Sequence, residues 1–146
     1  MKRFLIFRTD RIGDFIASKI IIESIKSENR YNKIDIVCSK YNKKYISHYN
    51  STNKLFILEK GNFLNYLKNI KLCRNFNYDY LIILDGKRRS LIFSFFIKSN
   101  FKILLFKRNS LSNLIAKLFS YNTFLNSEKT FQFENFKKLL KIIKIS

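Results

Sequence analysis

The chain has no proline, three glycines, two cysteines and one histidine, and it sets 10 acidic side chains against 29 basic ones. With no linker rich in glycine, proline or serine, nothing divides the 146 residues, and one domain is expected. Cys38 and Cys73 lie far apart and His48 is near neither, so no metal-ligand spacing and no Cys–His or Ser–His–Asp arrangement is visible. Both cysteines stand in apolar surroundings and read as buried free thiols. The glycine patterns G-x-G-x-x-G and G-x-x-x-x-G-K-[ST] are absent, which excludes an NAD or ATP site of those kinds. Phe4–Phe7 is too short an apolar run for a signal peptide. The zone from Leu91 to Phe106 is broken by Lys98, Asn100 and Lys102, so it is no membrane span of about 20 residues. A cytoplasmic protein is expected, with at most peripheral contact at the inner membrane face.

Hydrophobic residues make up 47% of the chain, enough for a core and against disorder. The net charge of +19 attracts anionic partners: nucleic acid, a lipid surface or phosphorylated substrates. Abundant Lys, Ile, Asn, Phe and Tyr also fit an AT-rich coding sequence, so a merely solvated surface stays open as a second reading. Most aromatics fall at apolar positions of strands and helices, where core packing accounts for them better than base stacking.

Strand-like and helix-like runs alternate. Strands are expected at Lys2–Arg8, Lys33–Ser39, Lys54–Glu59, Asp79–Leu84 and Phe101–Phe106. Helices are expected at Asp14–Glu28 (apolar stripe Ile16, Ile20, Ile21, Ile25), Tyr41–Tyr49, Asn62–Asn75 (Phe63, Leu64, Leu67, Ile70, Leu72), Lys87–Ile97, Asn109–Ser120 and Phe131–Ile145, with Tyr121–Thr130 a loop. This is the pattern of an α/β, Rossmann-like open and mostly parallel sheet with helices on both faces. The last helix either covers the sheet or packs on something outside the chain.

The stretch Arg8-Thr9-Asp10-Arg11-Ile12-Gly13-Asp14 joins the first strand to the first helix. Gly13 offers backbone freedom at the turn, and Asp14 stands where an N-cap would. Asp85-Gly86-Lys87-Arg88-Arg89 follows the fourth strand in the same way. A parallel sheet brings both stretches to the edge where open α/β sheets bind ligands. That rim would be a strongly cationic pocket, Arg8, Arg11, Lys87, Arg88 and Arg89 beside Asp10, Asp14 and Asp85. Three cations at a helix start oppose the helix dipole, and either a bound anion or exposure to water must compensate. By chemistry alone Asp14 reads as a cap rather than a base.

Arg-x-Asp-Arg-Ile-Gly-Asp after the first strand resembles the opening of the heptosyltransferase family (glycosyltransferase family 9, ADP-heptose:lipopolysaccharide transferases). Ile34–Ser39, the run Tyr78–Gly86, Arg89-Ser90 and Phe133–Ile145 resemble further features of that family's amino-terminal half, in the family's order. The resemblance implies the amino-terminal, acceptor-side lobe of a GT-B transferase across residues 1–146. It also implies a carboxyl-terminal donor-binding lobe that these residues do not include, so turnover would need a second lobe, which another chain could supply. The implied reaction is inverting and metal-independent, moving heptose or a related sugar from a nucleotide-sugar co-substrate such as ADP-heptose to an anionic glycan or glycolipid acceptor, as on the lipopolysaccharide inner core. No other cofactor is implied. Asp14 would be the catalytic base; Asp10, Arg11, Gly13, Lys87, Arg88 and Arg89 would bind substrate. The alternative is a basic, non-enzymatic module that binds nucleic acid or an anionic membrane surface. It calls for a continuous basic face, which the scattered lysines do not obviously form; specific nucleic-acid recognition is not expected.

Overall fold

A computed structural model of the chain describes residues 1–59, 61, 63–106, 123–126 and 132–143. The elements are β1 (Arg3–Arg8), α1 (Ile12–Glu28), β2 (Lys33–Cys38), α2 (Lys40–Ser47), β3 (Lys54–Ile57), α3 (Phe63–Arg74), β4 (Tyr78–Ile83), α4 (Arg88–Phe95), β5 (Ser99–Phe106), β6 (Thr123–Asn126) and α5 (Gln132–Ile142). The six strands form one sheet in the order β3-β2-β1-β4-β5-β6, and every neighbouring pair is parallel. The chain winds outward from β1 to β3, returns to the other side of β1 with β4, and winds outward again. The α/β Rossmann-like reading is therefore correct.

Period-two alternation splits the core between the two sheet faces. Phe4 and Ile6 of β1 join Ile22 and Ile25 of α1, Ile46 of α2 and Phe136 and Leu139 of α5. Leu5 and Phe7 join Ile70 and Cys73 of α3 and Leu91 and Phe93 of α4. Each of the Phe, Leu and Ile side chains among these contributes about 1.5–3 kcal/mol by leaving water. The last helix thus covers a sheet face and packs on α1.

Several expectations need correction. Thr123–Asn126, read as loop, is a sixth strand beside β5; four residues between polar neighbours are too few to display strand periodicity. The helix expected over 109–120 lies outside the described residues. α1 begins two residues earlier than expected, and its buried face is Phe15, Ser18, Ile21, Ile22 and Ile25. Ile16 falls on the opposite side of that face and is half exposed. On α3 only Asn69, Ile70 and Cys73 are buried, while Phe63, Leu64, Leu67 and Leu72 face outward. Both cysteines are buried and free, and burial pushes the Cys38 thiol up to about 12. Among the described residues no helix is long and apolar enough to cross a membrane.

Candidate functional site

β1 and β4 are neighbours that continue in opposite directions, so their carboxyl ends open a crevice. The register Phe7↔Ile83 aligns the two ends, and the Leu84 N–H donates to the Phe7 carbonyl at 3.1 Å. Thr9 and Asp85 therefore meet across the crevice. Both the N–H (3.3 Å) and the hydroxyl of Thr9 donate to the Asp85 carboxylate. Asp85 also accepts from the Lys87 N–H at 3.1 Å and from the Ser90 hydroxyl at 2.7 Å. A carboxylate thus sits at the amino end of α4, where it takes the N–H of the N-cap residue Lys87 and offsets the dipole. Part of the expected compensation therefore comes from the chain itself, and Arg88 is exposed to water. Gly86 makes the turn possible with φ +57°, the left-handed region that favours glycine.

Arg8 is the buried strut of the other loop, 2% exposed. Its guanidinium donates to the Asp14 carbonyl at 2.8 and 3.0 Å and to the Leu84 carbonyl at 2.9 Å. It also stands 3.1 Å from the Asp10 carboxylate and 3.9 Å from that of Asp14. Burial lowers its pKa, and Asp10, Asp14 and Asp85 oppose that. Arg8 is thus spent on holding loop and helix together.

Asp14 is not the N-cap. Arg11 occupies that position and Asp14 is the third helical residue. Its carboxylate accepts the Arg11 backbone N–H at 3.4 Å, the reach-back half of a capping box. A guanidinium has no acceptor, so the reciprocal half cannot form. The Asp14 side chain remains 39% exposed at the cavity. Gly13 lies inside the first helical turn without positive φ, so the expected backbone freedom is not used; a Cβ there would meet open space.

Asp10 differs from Asp14. One carboxylate oxygen faces Arg8, and the other is buried without a hydrogen-bond partner among the described residues. Burial raises its pKa; Arg8 lowers it, and Asp14 and Asp85 raise it further. The Asn42 amide holds the Asp10 carbonyl at 2.6 Å.

These groups line a cavity of about 1000 Å³. Of the site residues expected from sequence, Asp10, Arg11, Asp14, Lys87 and Arg89 line it; Gly13 and the exposed Arg88 do not. Lys87 is tied down by a 2.9 Å hydrogen bond from Nζ to the Thr9 carbonyl. Arg89 reaches the Thr9 hydroxyl at 3.5 Å, while its Nε is buried without a partner among the described residues. Sequence reasoning missed Ser39, Lys40, Tyr41, Leu58 and Glu59, which complete the wall after β2 and β3. Their position at or just past the carboxyl ends of two expected strands was the available signal. They also correct the charge: five basic residues (Arg8, Arg11, Lys40, Lys87, Arg89) face four acidic ones (Asp10, Asp14, Glu59, Asp85). The pocket is nearly balanced rather than strongly cationic. Among the described residues no group of three or more His, Cys, Asp or Glu is placed to hold a metal ion.

No protein-family model matches the chain, and no curated protein matches it in sequence. Solved structures do match in fold. E. coli heptosyltransferase WaaC, solved with ADP-2-deoxy-2-fluoro heptose, superposes with a TM-score of 0.79 at 16% identity, over 99% of this chain and 49% of that one. A glycosyl transferase family 9 protein from Veillonella parvula gives 0.78 at 11% identity, over 99% and 42%. E. coli ADP-heptose lps heptosyltransferase II gives 0.59 at 17% identity, over 72% and 30%. The chain spans about half the length of WaaC, and the Rossmann-like α/β fold of its sheet and helices is the fold that WaaC and the family 9 glycosyltransferase carry over that half.

Proposed function

We propose that the chain is the acceptor-side, amino-terminal lobe of a heptosyltransferase-like glycosyltransferase of GT-B type. The observation that carries this reading is the open Asp14 carboxylate at the mouth of the switch-point cavity, in a fold shared with heptosyltransferases. Asp14 takes the proton of an acceptor hydroxyl as that oxygen attacks the anomeric carbon of the donor sugar. The nucleoside diphosphate leaves with the bonding electron pair and the anomeric configuration inverts, through an oxocarbenium-like transition state. The donor, a nucleotide-sugar such as ADP-heptose, is held by a second lobe, and no metal takes part.

Arg89 and Asp10 each hold one buried polar atom without a partner among the described residues, which a ligand reaches only when the side chain turns toward the cavity. An anionic glycan acceptor satisfies both: its carboxylate or phosphate meets Arg89 and Arg11, and a hydroxyl meets Asp10. Calorimetric titration of the chain with anionic inner-core oligosaccharides tests this. Arg89→Gln weakens binding about tenfold or more, as expected for a charge-assisted hydrogen bond, whereas Arg88→Gln, outside the lining, leaves it within about twofold. Equal effects of the two changes contradict the assignment.

A further inference from the structure

The sheet face covered by α3 and α4 combines two features that the site does not use. The first is exposed apolar surface. Phe63 (69% exposed), Leu64 (80%) and Leu67 stand on the outward side of α3, and Phe95 and Phe96 project at the end of α4. Leu67 and Phe96 share a shallow groove with Ile70, Lys71, Arg74 and Asn75, so the helices present one continuous surface. Such a cluster on a folded chain marks a contact surface.

The second feature is the lack of acidic side chains on these two helices. No acidic residue occurs between Glu59 and Asp79, or from Gly86 to Ser127, so α3 and α4 carry none. Lys68, Lys71 and Arg74 lie on the same outward side of α3 as Leu64 and Leu67, spaced at helical period. On the opposite sheet face, α1 carries Asp14, Glu23 and Glu28, and α5 carries Glu134. On that opposite face α2 carries Lys40, Lys43 and Lys44 without an acid, so cations are not confined to one side; what distinguishes α3 is that its cations stand among outward leucines and a phenylalanine on one helix side.

We propose that the α3–α4 face docks on an anionic lipid bilayer, with Phe63, Leu64 and Leu67 entering the interface and Lys68, Lys71 and Arg74 meeting lipid phosphates. Apolar side chains flanked by lysine and arginine on one helix face suit this geometry, because burial and attraction to anionic headgroups add. A nucleic acid would use the charge but not the leucines, and a second copy of the chain would bring like charge against like charge. No helix among the described residues spans a membrane, so the contact is with the surface. The proposal does not depend on the transferase reading.

The 146-residue chain is sedimented with vesicles of phosphatidylcholine alone and of phosphatidylcholine mixed with phosphatidylglycerol, across a salt series. It binds the mixed vesicles and not the neutral ones. Phe63→Ser/Leu64→Ser/Leu67→Ser lowers partitioning about tenfold or more at fixed salt, because binding scales with buried apolar area. Lys71→Gln/Arg74→Gln weakens it and flattens its salt dependence. Ile16→Ser, an exposed apolar change on the opposite face, leaves it unchanged. The chain has no tryptophan, so Leu64→Trp supplies a single reporter, whose emission shifts to the blue when mixed vesicles are added. Equal binding by the triple variant, equal loss with Ile16→Ser, or an unshifted Leu64→Trp spectrum on sedimenting vesicles overturns the proposal. So does light scattering that shows a dimer dissolved by the triple variant, since the face would then be a self-association surface.

Discussion

Arg8 and Asp14 are joined twice. The Arg8 guanidinium grips the Asp14 carbonyl with two hydrogen bonds of 2.8 and 3.0 Å, and it stands 3.9 Å from the Asp14 carboxylate. The last residue of β1 thus fixes both the first turn of α1 and the direction of its only acidic side chain in that turn.

The first prediction concerns that grip. Arg8→Met leaves Asp10 without its buried partner and three hydrogen bonds to carbonyls unmade. Breaking a buried ion pair from one side costs about 3–5 kcal/mol. Arg8→Lys recovers little, because a single ammonium cannot reproduce the planar fork. Urea unfolding checks both; a loss of under about 1 kcal/mol in Arg8→Met contradicts the strut role.

A second prediction follows from Asp10. Its folded pKa is raised, chiefly by burial, so the folded state holds this proton more tightly than the unfolded state. The contribution to stability is fully present below the unfolded carboxylate value of 3.8 and is lost as pH rises through the higher folded value. Asp10→Asn removes the linkage. The stability of the natural chain relative to Asp10→Asn therefore falls with rising pH across that window. A difference that grows with pH contradicts the assignment.

Third, the two rim glycines respond oppositely. Gly86→Ala forces a side chain into left-handed backbone and destabilises by about 1–2 kcal/mol. Gly13→Ala, in a helical turn with open space above it, gains up to about 1 kcal/mol. Gly13 does not line the cavity, so Gly13→Ala leaves acceptor binding within about twofold while it stabilises the fold. Thermal unfolding together with acceptor titration checks both.

The glycines also show what the sequence could and could not reveal. Both stood just after a strand, and both looked like turn residues. Only the structure distinguishes them, because a helix start two residues earlier than expected turns Gly13 from hinge into helix. The same shift moves Asp14 from cap to third position. The alternation of strands and helices was legible because long apolar runs with clear periods make it so. β6 was not, since four residues show no period. Lys40, Tyr41 and Glu59 were hidden by their distance along the chain from the Arg8–Asp14 stretch; only the order β3-β2-β1-β4 brings them to the same cavity. Phe63 and Leu64 looked like core by pattern, yet the helix turns them outward.

Asp14 carries the central claim. Asp14→Asn keeps an acceptor for the Arg11 N–H and leaves the Arg8 contact to the Asp14 carbonyl untouched, so stability should change by no more than about 1 kcal/mol. Sugar transfer is measured in the complete assembly, with the donor-binding lobe present. The account predicts a loss of about 10²–10⁴-fold in kcat, with acceptor KM little changed and unfolding unaltered. Transfer at the natural rate by a folded Asp14→Asn variant would contradict it.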